Sequence, residues 1–213
     1  MKKIDLTSVT VFYINMDEDS DKRDRLEEML KQRGFTDVRR VRGTPNANKK
    51  VGVANAHKRA LISGLKHGGP FIIFEDDVIE NKFKRYVEVP ENTDAYYLGI
   101  SQWGLQSGKG TRTISVERYN PDTFRLFNML SAHAILYLNM DYVKFLLRSV
   151  EFYIKIRTNQ DKGRAETMKY WNIYGAKDPL YAQDGKYYEH TCFSLPGASA
   201  VPSTRVFLTS NSR

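Results

Sequence analysis

The chain has very little cysteine: Cys192 is the one cysteine among 213 residues. A single cysteine excludes an internal disulfide, and such a sequence is typical of a reducing compartment. Long apolar runs are also missing, since none approaches the roughly 18 residues of a membrane span. The opening residues Met1–Asp5 do not begin a signal-peptide pattern. We therefore expect a cytoplasmic protein with no integral membrane segment.

Acidic residues are fewer than basic residues. The sequence has 33 Lys and Arg against 25 Asp and Glu, a formal net charge of +8. This balance favours anionic partners such as nucleotides, nucleic acid or a membrane surface. No recognisable DNA- or RNA-binding motif occurs, so we do not expect nucleic acid to be the partner. A non-catalytic domain that binds nucleic acid or another polyanion stays open as an alternative, as does an ordinary basic surface.

Strand and helix patterns alternate along the first half of the chain. The β-branched and aromatic run Val9–Ile14 predicts a first strand. The helical patterns that follow begin at Ser20 and at Val53, and are ended by Gly34 and Gly68. The further predicted strands and helix are Val38–Val41, Phe71–Phe74, Asp94–Ile100, Ala134–Leu138 and Met140–Tyr153. This alternation predicts an α/β fold with a mixed, mostly parallel central sheet flanked by helices.

Three consecutive carboxylates, Glu75, Asp76 and Asp77, follow the apolar run Phe71–Phe74. Like charges at the end of a buried strand repel one another and are costly to desolvate, so we expect a positive charge to compensate them. With oxygen ligands only, the natural candidate is Mn²⁺ or Mg²⁺, which also bridges to phosphates. The alternative is a solvated strand end that caps the next helix.

The alternation of side chains along a strand divides the triplet. Glu75 and Asp77 face one side and Asp76 faces the other while the chain stays extended. We therefore expect Glu75 and Asp77 to hold the cation. Asn15 and Asp17 also follow a predicted strand, and ligands of α/β sheets bind beyond the carboxyl ends of the strands. Both segments are therefore expected at one crevice.

The sequence resembles a known family at several of these segments. A strand that closes on Glu-X-Asp is similar to the metal motif of GT-A nucleotide-sugar glycosyltransferases. Tyr13–Asp17 with Asp21–Arg23, Gly52–Leu61 and Glu75–Asp77 resemble, in the right order, motifs of the family 25 glycosyltransferases of lipopolysaccharide and collagen modification. Ser131–Leu136 resembles a later motif of that family less closely. The chain also resembles glycosyltransferase domains of large DNA viruses of algae (chloroviruses), which would place it in the host cytoplasm.

The resemblance implies roles for residues near the nucleotide. A GT-A fold implies that the loop after the first strand contacts the base and ribose. It also implies that the middle carboxylate, Asp76, contacts the ribose or donor sugar. A late histidine is a further metal ligand in many such enzymes, and His190 is the candidate here. The residues that we expect to bind the nucleotide-sugar are Tyr13, Asn15, Asp17, Arg23, Asn55, Lys58 and Asp76.

Some of these residues have simpler interpretations. Arg23 could form a salt bridge on its helix instead of contacting phosphates. Asn55 and Lys58 are expected at the start of a helix, where the dipole favours anions. A solvated helix face explains them equally well.

The residue that performs the transfer cannot be carried over from the family, because the last part of the chain shows no family pattern. Asp178 and Asp184 are the acidic candidates, as a base or as stabilisers of the transition state. Both could equally be turn residues.

The prediction as a whole is a single GT-A-like domain over residues 1–213. Its nucleotide-binding half is expected at about 1–100 and its acceptor half at about 101–213. It would move a sugar from a UDP-sugar to a glycan or glycoprotein, with Mn²⁺ or Mg²⁺. A metal-dependent nucleotidyltransferase or phosphohydrolase would use the same carboxylates. The polar end Thr209–Arg213 resembles the start of a linker, so further domains of a longer chain are possible.

Overall fold

The computed structural model describes residues 1–101, 103–105 and 113–184, and residues 206–209 as a backbone strand. A central sheet of nine strands forms the framework. From one edge to the other, the strands are β13 (Val206–Thr209), β8 (Thr113–Asn120), β9 (Thr123–Leu126), β11 (Ile173–Ala176), β7 (Ala95–Tyr97), β10 (Ala134–Tyr137), β4 (Phe71–Glu75), β2 (Thr10–Asn15) and β3 (Val38–Arg42).

The sheet is mixed, which confirms the predicted α/β class. Strand β2 pairs in parallel with both β3 and β4, and β7 pairs in parallel with β11. The other five pairings are antiparallel. In the β2–β4 register, Ile14 lies beside Glu75. The carboxyl ends of β2 and β4 are therefore neighbours, as the sequence predicted.

Two small antiparallel pairs complete the strands. Strand β1 (Lys2–Asp5) pairs with β6 (Tyr86–Val89), and β5 (Val78–Glu80) pairs with β12 (Tyr181–Gln183). The second pair matters for the site, because its register places Gln183 opposite Val78. A residue from the last third of the chain is thereby brought beside the acidic triplet.

Four α-helices lie in the described part of the chain: α1 (Ser20–Gln32), α2 (Lys49–His67), α3 (Met140–Lys155) and α4 (Gln160–Thr167). A short 3₁₀ turn covers Leu6–Ser8. Helix α2 begins at Lys49 and not at Val53 as predicted, because the Asn48 side chain caps it by accepting from the Lys50 N–H. It ends at Gly68, whose φ of +80° is the left-handed conformation that glycine adopts without strain.

The sheet is covered on both faces by separate groups of buried residues. Leu26 and Leu30 of α1 pack on the face that carries Ile72 and Phe74. Leu61 of α2 and a row of α3 residues pack on the opposite face, with Phe71, Ile73, Tyr142, Val143 and Leu146. Strand β4 is buried on both faces, which explains its continuous apolar sequence. No helix in the described ranges is both long and apolar enough to cross a membrane.

Candidate active site

The acidic triplet lies where β4 ends and the chain turns into β5. Gln183 Nε2 donates to Glu75 Oε2 at 3.1 Å and lies 3.4 Å from Asp77 Oδ2. Asp76 points elsewhere and accepts from Asn15 Nδ2 at 2.7 Å. The triplet is thus divided as side-chain alternation indicated, with Glu75 and Asp77 sharing one neighbour and Asp76 facing another.

Asn15 connects the loop after β2 to the triplet. Its Nδ2 donates to Asp76 and also to the backbone carbonyl of Asp19, at 2.9 Å. Its Oδ1 is buried and has no hydrogen-bond partner among the described residues. Asn15 is therefore fixed by its amide nitrogen, while its oxygen lies at the shared strand end as an acceptor that no described residue uses.

The triplet is electrostatically strained. Burial raises the pKa of Glu75 and of Asp77. Repulsion from the neighbouring carboxylates raises both further, whereas the Arg164 charge acts in the opposite direction on Glu75. Burial also raises the pKa of Asp76, although the hydrogen bond from Asn15 acts in the opposite direction. The folded chain therefore disfavours full ionisation of the triplet unless a positive charge compensates it.

The donor set fits a hard divalent cation. Asp77 is only 8% exposed, and its Oδ1 has no hydrogen-bond partner in the described part of the chain. Glu75 and Asp77 supply oxygen atoms alone, which Mg²⁺ and Mn²⁺ prefer, and such ions complete their coordination with water and phosphate. Within the described ranges no three His, Cys, Asp or Glu side chains form a metal-binding group. The third ligand that we predicted, His190, lies outside the described residues.

His57 and Arg164 form a buried layer behind Glu75 that the sequence did not reveal. His57 Nε2 lies 2.8 Å from Glu75 Oε1, and an Arg164 guanidinium nitrogen lies 3.2 Å from His57 Nδ1. Burial lowers the pKa of His57 to about 3, with the Arg164 charge acting in the same direction. His57 is therefore neutral here. The family likeness included His57 in a motif but gave it no role.

Further charged residues reach the same region. Lys22 of α1 lowers the pKa of both Asp76 and Asp77 by its charge, although burial outweighs it. Asp161 of α4 lies close enough to Glu75 for their charges to interact, and burial raises its pKa. Both residues belong to elements whose contacts with the triplet arise from tertiary packing, so no local sequence signal identified them.

Like Asn15 and Asp76, the predicted nucleotide-binding residues Tyr13, Asp17 and Arg23 have protein partners. Tyr13 is 1% exposed in the core beneath α1, and its hydroxyl donates to Glu27. Asp17 pairs with two arginines of β3, Arg40 at 2.8 Å and Arg42 at 3.3 Å. Arg23 pairs with its neighbour Asp24, as the helix-face interpretation expected.

Asn55 and Lys58 do not lie at a helix N-terminus. Because α2 begins at Lys49, they occupy its second and third turns, and the argument from the helix dipole does not apply to them. Lys58 Nζ lies 2.8 Å from Glu151 of α3, and Asn55 is half-buried. The expected position at a helix start was wrong for both residues, and their contacts with phosphate and ribose stay predictions.

The two predicted catalytic aspartates differ in position. The Asp184 N–H donates to the backbone carbonyl of Asp77 at 2.8 Å, and its carboxylate pairs with Arg25 of α1 at 2.9 Å. Asp178 is exposed after β11, and no contact joins it to the triplet in the described part of the structure. The fold thus brings Asp184 to the candidate site and leaves Asp178 outside it.

Comparisons with known proteins give likeness in structure only. The sequence matches no protein-family model and no curated protein sequence. A nucleoside-diphosphate-sugar pyrophosphorylase from Vibrio cholerae RC9 is similar over 80% of this chain and 73% of its own, at 15% identity and a TM-score of 0.44. A197 from STIV is similar over 96% and 95%, at 12% identity and a TM-score of 0.44. At these scores neither likeness carries a functional argument.

Proposed function

We propose that the chain is a metal-dependent glycosyltransferase of the GT-A kind, which moves a sugar from a nucleoside diphosphate donor to a glycan or glycoprotein. The observation that carries this proposal is the meeting of Asn15 and the acidic triplet at adjacent strand ends, joined by a 2.7 Å hydrogen bond. Polar groups beyond the carboxyl ends of strands are where α/β sheets bind their ligands. The family 25 likeness supplies the donor class, a UDP-sugar.

In this proposal Glu75 and Asp77 hold Mn²⁺ or Mg²⁺. Both carboxylates turn toward the position of the Gln183 amide nitrogen, which makes them neighbours that can share one ion. The ion, when bound, neutralises the negative charge that develops on the departing diphosphate. Asp77 Oδ1, which is buried and has no partner among the described residues, supports the assignment, because an unmade polar contact is costly unless a ligand completes it.

The other residues of the site bind and orient the donor. Asp76, held by Asn15, is proposed to contact the ribose or the donor sugar. Lys22 contributes positive charge on the side of the triplet that α1 faces. Asp184 is the better placed of the two predicted acids, since its backbone is bonded to Asp77 and Arg25 holds its carboxylate.

Product analysis tests this proposal. The chain would be incubated with Mn²⁺ and a panel of nucleotide-sugars, and the released nucleotide and sugar would be identified by mass spectrometry. We expect UDP release that chelation abolishes and that Asp77→Asn loses, whereas Asp122→Asn, an exposed carboxylate in the β8–β9 turn, retains it. Release of inorganic phosphate, or transfer of the nucleotide itself, would instead identify a phosphohydrolase or nucleotidyltransferase and would refute the proposal.

A further inference from the structure

Arg164 is a buried cation that no carboxylate of the described residues contacts directly, although its charge acts on Glu75 and Asp161. Its side chain is 0% exposed, and its hydrogen bonds run to Gln160 Oε1 at 2.6 Å, to the Tyr137 hydroxyl and to His57 Nδ1. Buried charges are nearly always paired, and an apolar side chain of similar volume is often at least as stable at such positions. Packing alone therefore does not account for an arginine here.

The contacts of Arg164 determine the proton position on His57. A guanidinium group can only donate, so His57 Nδ1, at 3.2 Å from it, must accept. The neutral imidazole then carries its one proton on Nε2, which lies 2.8 Å from Glu75 Oε1 and donates to it. Arg164 thus selects the Nε2–H tautomer of His57, which donates to Glu75.

The same chain of contacts orients Glu75. Its Oε1 is occupied by His57, and its Oε2 is the atom that turns toward Gln183 and Asp77. In metal sites, partners that hold the ligands in this way set their direction, and their loss typically weakens metal binding by about 10- to 100-fold.

We propose that Arg164 is a positioning residue, which acts through His57 to fix the orientation of Glu75 and so presents Oε2 to the cation. This inference rests on the proposed function for the role of Glu75, and it adds α4, an element without any family motif, to the machinery of the site. The arrangement of the imidazole itself does not depend on a bound ion, so it can be measured separately.

Nitrogen NMR of ¹⁵N-histidine-labelled protein in EDTA tests the imidazole. The resonance of His57, one of four histidines, is assigned by its loss in His57→Gln. We expect the Nε2–H tautomer in the unmodified chain. In Arg164→Met the Nδ1 shift should move toward that of an imine nitrogen without a donor, whereas Tyr137→Phe, which removes another Arg164 partner, should leave it unchanged. An Nδ1–H tautomer, or an Nδ1 shift unaffected by Arg164→Met, would overturn the inference.

Mn²⁺ affinity, measured from the electron paramagnetic resonance signal of the unbound ion, tests the consequence. We expect Arg164→Met and His57→Leu to weaken binding about tenfold or more, with Tyr137→Phe within about twofold of the unmodified chain. His57→Gln, whose amide can donate to Glu75, should bind better than His57→Leu. Unchanged affinity in Arg164→Met would refute the positioning role. If the unmodified chain binds no Mn²⁺, the proposed function fails, and the NMR result alone decides the role of Arg164 toward His57.

Discussion

Replacing Asp77 by asparagine should stabilise the metal-free fold, although the residue is proposed to be essential for activity. Glu75 Oε2 and Asp77 Oδ2 lie 3.1 and 3.4 Å from one nitrogen of Gln183, so they can be no more than about 6.5 Å apart, the sum of the two distances. At that separation two unit charges repel by about 2.5 kcal/mol with an effective dielectric constant of about 20. Asp77→Asn removes this repulsion.

The expected change in melting temperature follows from the chain length. For a domain of this size, about 2.5 kcal/mol corresponds to a rise of roughly 5–10 °C. We expect this rise at pH 9, above the raised pKa values of both carboxylates, in EDTA, measured by calorimetry or circular dichroism. At pH 5 the difference should shrink, because the raised pKa values of Glu75 and Asp77 leave the pair largely protonated. The exposed control Asp122→Asn should change little at either pH. A variant no more stable than the unmodified chain at pH 9 would refute the electrostatic account.

Three further predictions follow from named contacts. The pKa values of Glu75 and Asp77 are raised on folding, so their contribution to stability is complete below the unfolded carboxyl pKa of about 4 and is lost as pH rises toward the folded values. The free energy of unfolding, measured with urea in EDTA, should decline between pH 5 and 8, and a flat profile would contradict this prediction. Asn15→Ala removes the donor to Asp76 and should cost about 1–3 kcal/mol in the same assay at pH 8, a typical value for a hydrogen bond to a charged group. A methyl group on Gly99 would overlap the ring of buried His133, so Gly99→Ala should cost about 1–3 kcal/mol of stability. In the control Gly69→Ala, the nearest contact of the new methyl group is His67 at 3.5 Å, so steric overlap should cost almost nothing.

The first half of the fold could be predicted because its signals are local. Strand β4 is an apolar run bounded by Pro70 and the carboxylates, and α1 has a regular apolar spacing ended by Gly34. Such apolar patterns lie within the sequence of a single element, so they can be recognised without knowing its neighbours in the fold. The start of α2 was placed four residues late, because its first turn is polar and is specified by the side-chain cap of Asn48.

The later elements gave weaker signals. Helix α4 has only eight residues, and its buried side includes Gln160, Gly163 and Arg164, which do not produce an apolar period. Strands β5 and β12 have three residues each and exist because they pair with one another. Tertiary contacts, which one sequence does not display, determine these elements.

The site was predictable to the same extent. The division of Glu75 and Asp77 from Asp76 followed from strand alternation, and the nearness of Asn15 followed from parallel strand ends. His57, Arg164 and Gln183 reach Glu75 from two helices and a distant strand, so their roles depend on packing. Tyr13 shows the converse: its position in the chain suggested the nucleotide, whereas its ring is packed in the core.

Calorimetric titration of UDP tests the central claim most directly. The unmodified chain would be titrated with UDP in Mn²⁺ and in EDTA, in parallel with Asp77→Asn, whose expected stability excludes unfolding as an explanation. The account predicts binding that requires Mn²⁺ and is lost or weakened about tenfold or more in Asp77→Asn, as expected for loss of a proposed carboxylate ligand. UDP binding of equal strength in EDTA, or unchanged by Asp77→Asn, would contradict it.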